Sequence, residues 1–371
     1  MANKRVVIKI GSSSLTEQDG SLSINKLQEH TSAIATLMKQ GVEVILISSG
    51  AVSAGFRDLG YSSRPVTVSG KQAAAAVGQG LLIEAYAEAF KTFGIVSAQL
   101  LVTRDVFIHH QQFSNVYQTI NELLKRSVIP IINENDSVAI DELTFGDNDM
   151  LSALISGLVN ADYLIMLTDI NGLYSANPNY HADAIRYNQL DHISDELISQ
   201  TSQDSSSKVG TGGMKSKLLA AQTALSLGVH TFVGIGRGNN KFVDILNGNG
   251  DGTYIGNHQT QHVRKQKQWI AFHSKVSGQI VVDDGAKDAL LKKGKSLLPA
   301  GILAVIGDFK QNDVVEIVYQ QNVIAKGKVN YNSAEIHQIK GMRSSNAMHI
   351  TNQHKSEVIH RDHLVLTLQG V

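Results

Sequence analysis

Near-continuous apolar runs recur along the first two-thirds of the chain, each short, and most are followed by small or polar residues. Residues 5–10, 42–47, 95–101, 127–132 and 163–167 read as strands, and the unbroken Val/Ile/Leu content of several implies burial on both faces. Helical spacing fills the gaps. Leu27, Ile34, Leu37 and Met38 predict a helix over 24–40, closed by Gly41. An Ala-rich stretch predicts a helix over 71–93, interrupted at Gly78 and Gly80, and residues 111–126 predict another. Met150, Leu151, Leu154, Ile155 and Leu158 lie on one face of a helix opening at Asn148, with Asn148 or Asp147 as its cap. Leu218, Leu219, Ala221, Ala224 and Leu225 mark a further helix. Strands alternating with helices predict an α/β fold: a three-layer αβα sandwich with a mostly parallel open sheet and right-handed crossovers. There is no internal repeat.

The texture changes late in the chain. Residues 258–268 are polar and basic with little periodicity and read as a linker. Beyond them come short β-like runs at 279–282, 302–306, 314–318, 323–329 and 363–368, with one short helix at 286–292. The expected organisation is a first domain over 1–258, a linker over 259–276 and a small β-rich domain over 277–371, long enough for its own core.

Candidate chemistry collects where strands end, the place where open α/β sheets put their ligands. The organising stretch is Pro130-Ile131-Ile132-Asn133-Glu134-Asn135-Asp136-Ser137, running on to Gly146-Asp147-Asn148-Asp149. Asn, Asp and Glu are denser there than turns and caps require. Lys9 precedes the turn Gly11-Ser12-Ser13-Ser14, whose backbone N–H groups suit phosphate oxygens. Taken alone, a lysine in a strand reads as a solvated edge residue. Ser48-Ser49-Gly50-Ala51 ends the second strand and offers an anion site, although close packing of helix on strand explains its glycines as well. Thr168-Asp169 ends the strand at 163–167. A polar, low-complexity run at 201–207 leads into Gly210-Thr211-Gly212-Gly213-Met214-Lys215-Ser216-Lys217, glycines before a helix with lysine on its first turn. The spacing is not that of a Walker A loop.

Composition narrows the field. The 33 basic and 33 acidic residues cancel, so no global field draws the chain to nucleic acid or membrane. There is no cysteine, which removes disulfides, thiolate nucleophiles and Cys-bound zinc. The amino terminus runs straight into the first strand, and no apolar run approaches the roughly 20 residues of a membrane helix. A cytoplasmic location is expected. The segment from Ser277 to Val371 holds 11 basic and 9 acidic residues, a net of +2, which makes nucleic acid an unlikely partner.

Together, Lys9-Ile10-Gly11-Ser12, Ser48-Ser49-Gly50-Ala51, Asn133-Glu134-Asn135-Asp136, Gly146-Asp147-Asn148-Asp149, Thr168-Asp169 and Gly210-Thr211-Gly212-Gly213-Met214 resemble the amino acid kinase family. Val281-Val282-Asp283-Asp284-Gly285-Ala286 and Ser296-Leu297-Leu298-Pro299-Ala300-Gly301 resemble a PUA domain. Lys215, within the Gly-Gly-Met turn, is a mild departure. The resemblance implies transfer of the ATP γ-phosphoryl group to the side-chain carboxylate of L-glutamate, with Mg2+ bridging the phosphates. It implies that Asp149 orients Lys9 and Lys217, and that these neutralise the moving phosphoryl group. Glutamate would be held by Ser49, Gly50, Ala51, Asn133, Asp136, Asp147 and Asn148. ATP would be held by Lys9, Gly11, Ser12, Thr168, Asp169, Thr211, Gly212, Gly213, Met214, Lys215, Ser216 and Lys217. No protein ligand for the metal is implied. A dimer or tetramer, inhibition by proline and glutamyl phosphate reductase as a partner are further expectations. The rival readings are a kinase of the same fold acting on aspartate, acetylglutamate or carbamate, and an RNA-binding PUA protein.

Overall fold

The computed structural model describes residues 4–103, 105–108, 110–138, 148–176, 181, 183–194, 196–198, 213–256, 270, 274, 276–351 and 355–366. It divides into two compact units, Met1–Leu225 with Val229–Asn257, and Ser226–Gly228 with His258–Val371.

The first unit is built on β1 (Arg5–Ile10), α1 (Ile24–Met38), β2 (Glu43–Ser48), α2 (Ala51–Gly55), α3 (Val68–Lys91), β3 (Ser97–Val102), α4 (Asp105–Ile108), α5 (His110–Lys125) and β4 (Ile129–Glu134). There follow α6 (Asn148–Leu158), β5 (Tyr163–Leu167), β6 (Leu173–Tyr174), β7 (Arg186–Tyr187), β8 (Gln189–Leu190), α7 (Met214–Ser226), β9 (His230–Ile235), α8 (Lys241–Leu246) and β10 (Asp251–Ile255). Eight strands form one sheet in the order β3-β4-β2-β1-β5-β9-β10-β8. Every described pairing in it is parallel except β9 with β10. The chain leaves β1 toward β2 on one side and later returns to β5 on the other, so the order reverses at β1. The crevice at such a reversal lies over the carboxyl ends of the strands.

Alternation along β1 decides what each face receives. Val6, Ile8 and Ile10 enter a core with Leu27, Ile34 and Leu37 of α1, Leu82 and Tyr86 of α3, and Phe242 and Ile245 of α8. Val7 and Lys9 therefore face the other layer, where α6 packs on β1, β2, β4 and β5. A lysine in the middle strand of a covered sheet is not an edge residue; Lys9 is 5% exposed.

Several boundaries differ from the sequence reading. The strand expected over 127–132 runs instead from Ile129 to Glu134, because Ser127 sits at φ 57° in the left-handed region and starts the strand late. Asn133 and Glu134 stay in the ladder opposite Leu101 and Val102. The Ala-rich helix is continuous through Gly78 and Gly80. A Cβ on Gly78 would lie 1.9 Å from the Ala51 carbonyl oxygen and 2.4 Å from the Gly55 nitrogen, so that glycine lets α2 touch α3 rather than breaking α3. The strands β9 and β10, which extend the sheet past β5, were not foreseen.

The second unit holds β11 (Val276–Val282), α9 (Asp284–Leu291), β12 (Ile302–Ile306), β13 (Val314–Tyr319), β14 (Asn322–Lys328), α10 (Ser333–Ile339), α11 (Ser344–Thr351) and β15 (Leu364–Leu366). Its sheet runs β12-β11-β13-β14-β15 around a core that includes Ile280, Ile317, Ile324, Tyr331, Ile336 and Ile359. One helix was expected here and three are present among the described residues; α10 opens on a capping box between Asn332 and Glu335, a signal present in the sequence. The linker expected over 259–276 lies largely outside the described residues. No described helix is long and apolar enough to cross a membrane.

Gly78 and Gly80 of α3 make opposite predictions. Gly78→Ala must push α2 away and should destabilise the unit by ~1–3 kcal/mol, as overpacking does. A Cβ on Gly80 would meet nothing within 4 Å. Gly80→Ala should therefore stabilise by ~0.5–1 kcal/mol, as helix propensity dictates. Thermal denaturation of both variants should move the melting temperature in opposite directions.

Candidate active site

The carboxyl ends of β1, β2, β4 and β5 bring the candidate groups together. Lys9 projects from β1 toward the first turn of α6, where Asp149 is fully buried. The Lys9 ammonium lies 2.6 Å from Asp149 Oδ1. Lys217, on the first turn of α7 and also buried, donates to Asp149 Oδ2 at 3.1 Å, and Ser216 Oγ is 3.5 Å from the same oxygen. Burial by itself would raise the Asp149 carboxyl; the Lys9 and Lys217 ammonium groups outweigh it and hold the group below the usual carboxylate value. One carboxylate thus tethers two cations, leaving a net charge of +1 in the triad. The amino end of α6 adds partial positive charge around Asp149.

Gly11 sits immediately beyond β1. A Cβ there would lie 3.3 Å from Lys9 Nζ, so the glycine keeps the approach to that ammonium open. The next three residues, Ser12–Ser14, form one short turn of 3-10 helix. His30 of α1 supports it: Nε2 donates to the Ser14 carbonyl oxygen at 3.1 Å. Burial, with the Lys241 ammonium nearby, pushes the His30 imidazole down to about 4, so it is neutral at neutral pH. Lys241 is itself buried, its ammonium 2.8 Å from Glu29 Oε1, and burial lowers its pKa.

On the other side of β1, a row of amides crosses the strand ends. Gln79 of α3 accepts from Asn133 Nδ2 at 2.9 Å, and Asn148 Nδ2 donates to Asn133 Oδ1 at 2.8 Å. Asn148 Nδ2 is also 2.9 Å from Ser49 Oγ. Gly50 lies at φ 111° and turns the chain from β2 into α2, so Ala51 is buried directly behind Ser49. Beneath this row the Tyr86 hydroxyl shares a hydrogen bond of 2.9 Å with Ser48 Oγ, and burial raises the phenol. Asp136 lies two residues past β4; burial raises its carboxyl, and its side chain has no ion-pair partner among the described residues. Thr168 ends β5 with its hydroxyl on Asp169 Oδ1 at 3.0 Å. Gly213 accepts from Ser216 N at 3.1 Å at the start of α7, with Met214 half-buried and Lys215 exposed.

Lys9, Asp149 and Lys217 therefore meet, as do Ser49, Asn133 and Asn148. Asp147, Thr211 and Gly212 lie outside the described residues. Gln79, Tyr86, His30 and Lys241 were not picked out from the sequence. Gln79 left a trace, a polar residue between two glycines of an Ala-rich helix.

Residues 4–234 match the amino acid kinase family, and residues 278–351 match the PUA domain. The chain belongs to the amino acid kinase family. Within it, the chain is 57% identical over 366 residues to a glutamate 5-kinase of Bacillus cereus (strain B4264), covering 98% of this chain and 100% of that one. A glutamate 5-kinase of Bacillus anthracis is 55% identical over 366 residues, with coverage of 98% and 100%. Among solved structures, carbamate kinase from Giardia lamblia bound to AMP-PNP shares the fold, with a TM-score of 0.50 and 18% identity over 68% of this chain and 98% of that one. A kinase of this family has to bring two anions together, and the tethered cations are the part of the site suited to that.

The buried imidazole gives a pH prediction. The folded pKa of His30, about 4, lies below its ordinary 6.5, so the unfolded chain binds the proton more readily. The stability this confers is fully present above about pH 6.5 and is lost as pH falls toward 4, by about 2 kcal/mol at pH 5 from this one group. His30→Gln, which keeps a donor for Ser14, should lose less stability between pH 7 and pH 5 than the wild type in denaturant unfolding.

Proposed function

We propose that the chain transfers the γ-phosphoryl group of ATP to the side-chain carboxylate of L-glutamate, giving L-glutamyl 5-phosphate and ADP, the step that opens proline synthesis. The near-full-length identity to glutamate 5-kinases supports the substrate. The observation that carries the chemistry is Asp149 buried between Lys9 and Lys217.

A glutamate side-chain carboxylate has a pKa near ~4.3, so it is already an ionised nucleophile at neutral pH. Its oxygen forms the new bond to the γ-phosphorus while the bond to the β–γ bridging oxygen breaks, and no proton moves. Catalysis then rests on placing two anions together and neutralising charge on the transferring group. Lys9 and Lys217 supply that neutralisation, and Asp149 holds both ammonium groups in place without acting as a base. Gly11, Ser12 and the turn around Gly213 lie beside these lysines and suit the phosphates; Thr168 and Asp169, past β5, suit the rest of the nucleotide. Mg2+ would supply further charge neutralisation while bound mainly to phosphate oxygens and water. No group of three or more acidic or histidine side chains placed to hold a metal ion is present among the described residues, so no residue is assigned to it.

Glutamate's α-carboxylate suits Ser49 and the backbone at Gly50 and Ala51. Its ammonium suits Asp136, a carboxylate partly withdrawn from water with no cation beside it among the described residues, and Asn148. Proline carries the same α-carboxylate and ammonium without the accepting carboxylate, so it would occupy this corner and compete with glutamate. The β-rich unit is assigned as a separable domain, and the enzyme as a cytoplasmic homo-oligomer.

An ADP-release assay offering glutamate, aspartate and acetylglutamate should respond to glutamate. Lys9→Ala and Lys217→Ala should each lower kcat by at least ~10²-fold, as loss of one preorganised charge does, with the glutamate KM moving far less. Proline titrated at several glutamate levels should raise the apparent KM alone. Near-normal kcat in either variant removes that lysine from the mechanism, and non-competitive inhibition places proline elsewhere.

A further inference from the structure

The amide row has its polarity fixed by backbone groups. Glu134 N–H donates to Asn133 Oδ1 at 2.9 Å, and a backbone N–H can only donate. Asn133 must therefore turn its Oδ1 to Glu134 and its Nδ2 away, where Gln79 Oε1 accepts it. Asn133 Oδ1 then demands a donor from Asn148, which supplies Nδ2. The Ser48 carbonyl oxygen, 3.4 Å from Asn148 Nδ2, makes the same demand from the strand beside it. Asn148 Oδ1 is left on the far side of that carboxamide, with no partner among the described residues.

We infer that Gln79 is a positioning residue for the amino acid substrate. It touches no reacting atom. Accepting from Asn133 Nδ2, it satisfies the one donor of the relay that nothing else in the described structure meets, and so adds to the Glu134 N–H in holding Asn133 in that orientation. Asn133 in turn holds Asn148 with its Oδ1 turned away from the row, buried and unfilled as an acceptor among the described residues. An acceptor there matches a free α-ammonium, which has only donors. This rests on the glutamate reading above.

Packing supports the assignment. Gln79 is 8% exposed and Asn133 2%, so water does not replace the acceptor. Gly78, the residue before Gln79, is pinned by backbone contact with α2, which fixes the register of α3 against α2. The side chain thus reaches Asn133 from a helix on one face of the sheet, while Asn148 opens α6 on the other.

The test removes the acceptor and then restores it. Gln79→Met and Gln79→Leu, made together so that poor folding of one leaves the other, should raise the glutamate KM about tenfold, the worth of one well-placed hydrogen bond. The ATP KM and kcat should stay within about threefold, because Lys9, Asp149 and Lys217 are untouched. Gln79→Glu, which keeps an acceptor at the same reach, should bring the glutamate KM back to within about threefold of wild type. A side chain that only fills space would lower the melting temperature and leave the glutamate KM alone, or would treat Met and Glu variants alike; either result overturns the inference. Wild type is assayed first: no ADP release with glutamate sinks the function itself, whereas activity with unmoved KM in the variants sinks only the role of Gln79.

Discussion

Asp149 is a fully buried carboxylate held between two ammonium groups. A carboxylate with no exposed surface is tolerated only if cations sit against it, and here two do. The triad leaves one positive charge in excess, at the carboxyl edge of the sheet, where the proposed mechanism uses it to neutralise the transferring phosphoryl group. The rest of the first unit can be read as what makes this arrangement possible. Lys9 has to come from the middle strand, on the face that α6 covers. Asp149 has to open α6, and Lys217 has to open α7 beside it. The same demand explains why Gly11 has no side chain, since a Cβ would crowd the Lys9 ammonium.

The site is also where the two faces of the sheet meet. Through most of its length, β1 separates one apolar layer from the other. At the strand ends that separation stops, and the relay from Gln79 through Asn133 to Asn148 passes over β4 and β2 from one layer to the other. In the proposed mechanism the charged triad and the amide relay divide the work accordingly: the first would serve the moving phosphoryl group, the second the shape and polarity of the acceptor. Asn148 and Asp149 are consecutive in α6, so one helix start positions both.

Much of this was legible before any coordinates. Continuous apolar runs such as 42–47 and 163–167 can only be buried parallel strands, and the polar residues after them mark the ligand edge. Asn133, Asn148 and Asp149 stood out because amides and charges there exceed what turns need, and Lys217 because it follows a run of glycines on the first turn of a helix. Lys9 was harder, because nothing in a single strand's sequence says whether it lies at the centre or the edge; only the strand order decides that. Gln79 and His30 were hidden for a related reason. A polar residue on a helix reads as solvated until the partner helix or loop is known, and both partners are remote in the chain. Gly78 was misread as a break because helix propensity was weighed without the packing of α2. The strands β9 and β10 went unnoticed because Gly234 and Gly252 interrupt their apolar pattern; paired opposite each other, those glycines let the backbones and Phe232 pack closely.

The central claim is that Asp149 stays ionised and takes no proton, its role being to hold two ammonium groups for a nucleophile that is already an anion. The pH dependence of the single-turnover phosphoryl-transfer rate of the wild-type enzyme tests this most directly. Between about pH 5.5 and 8 the rate should be flat on its acidic side, because glutamate and Asp149 both titrate below that range. An acidic limb with a midpoint near the roughly neutral pKa of a general base would mean that a protein group must lose a proton before transfer, and would contradict the account.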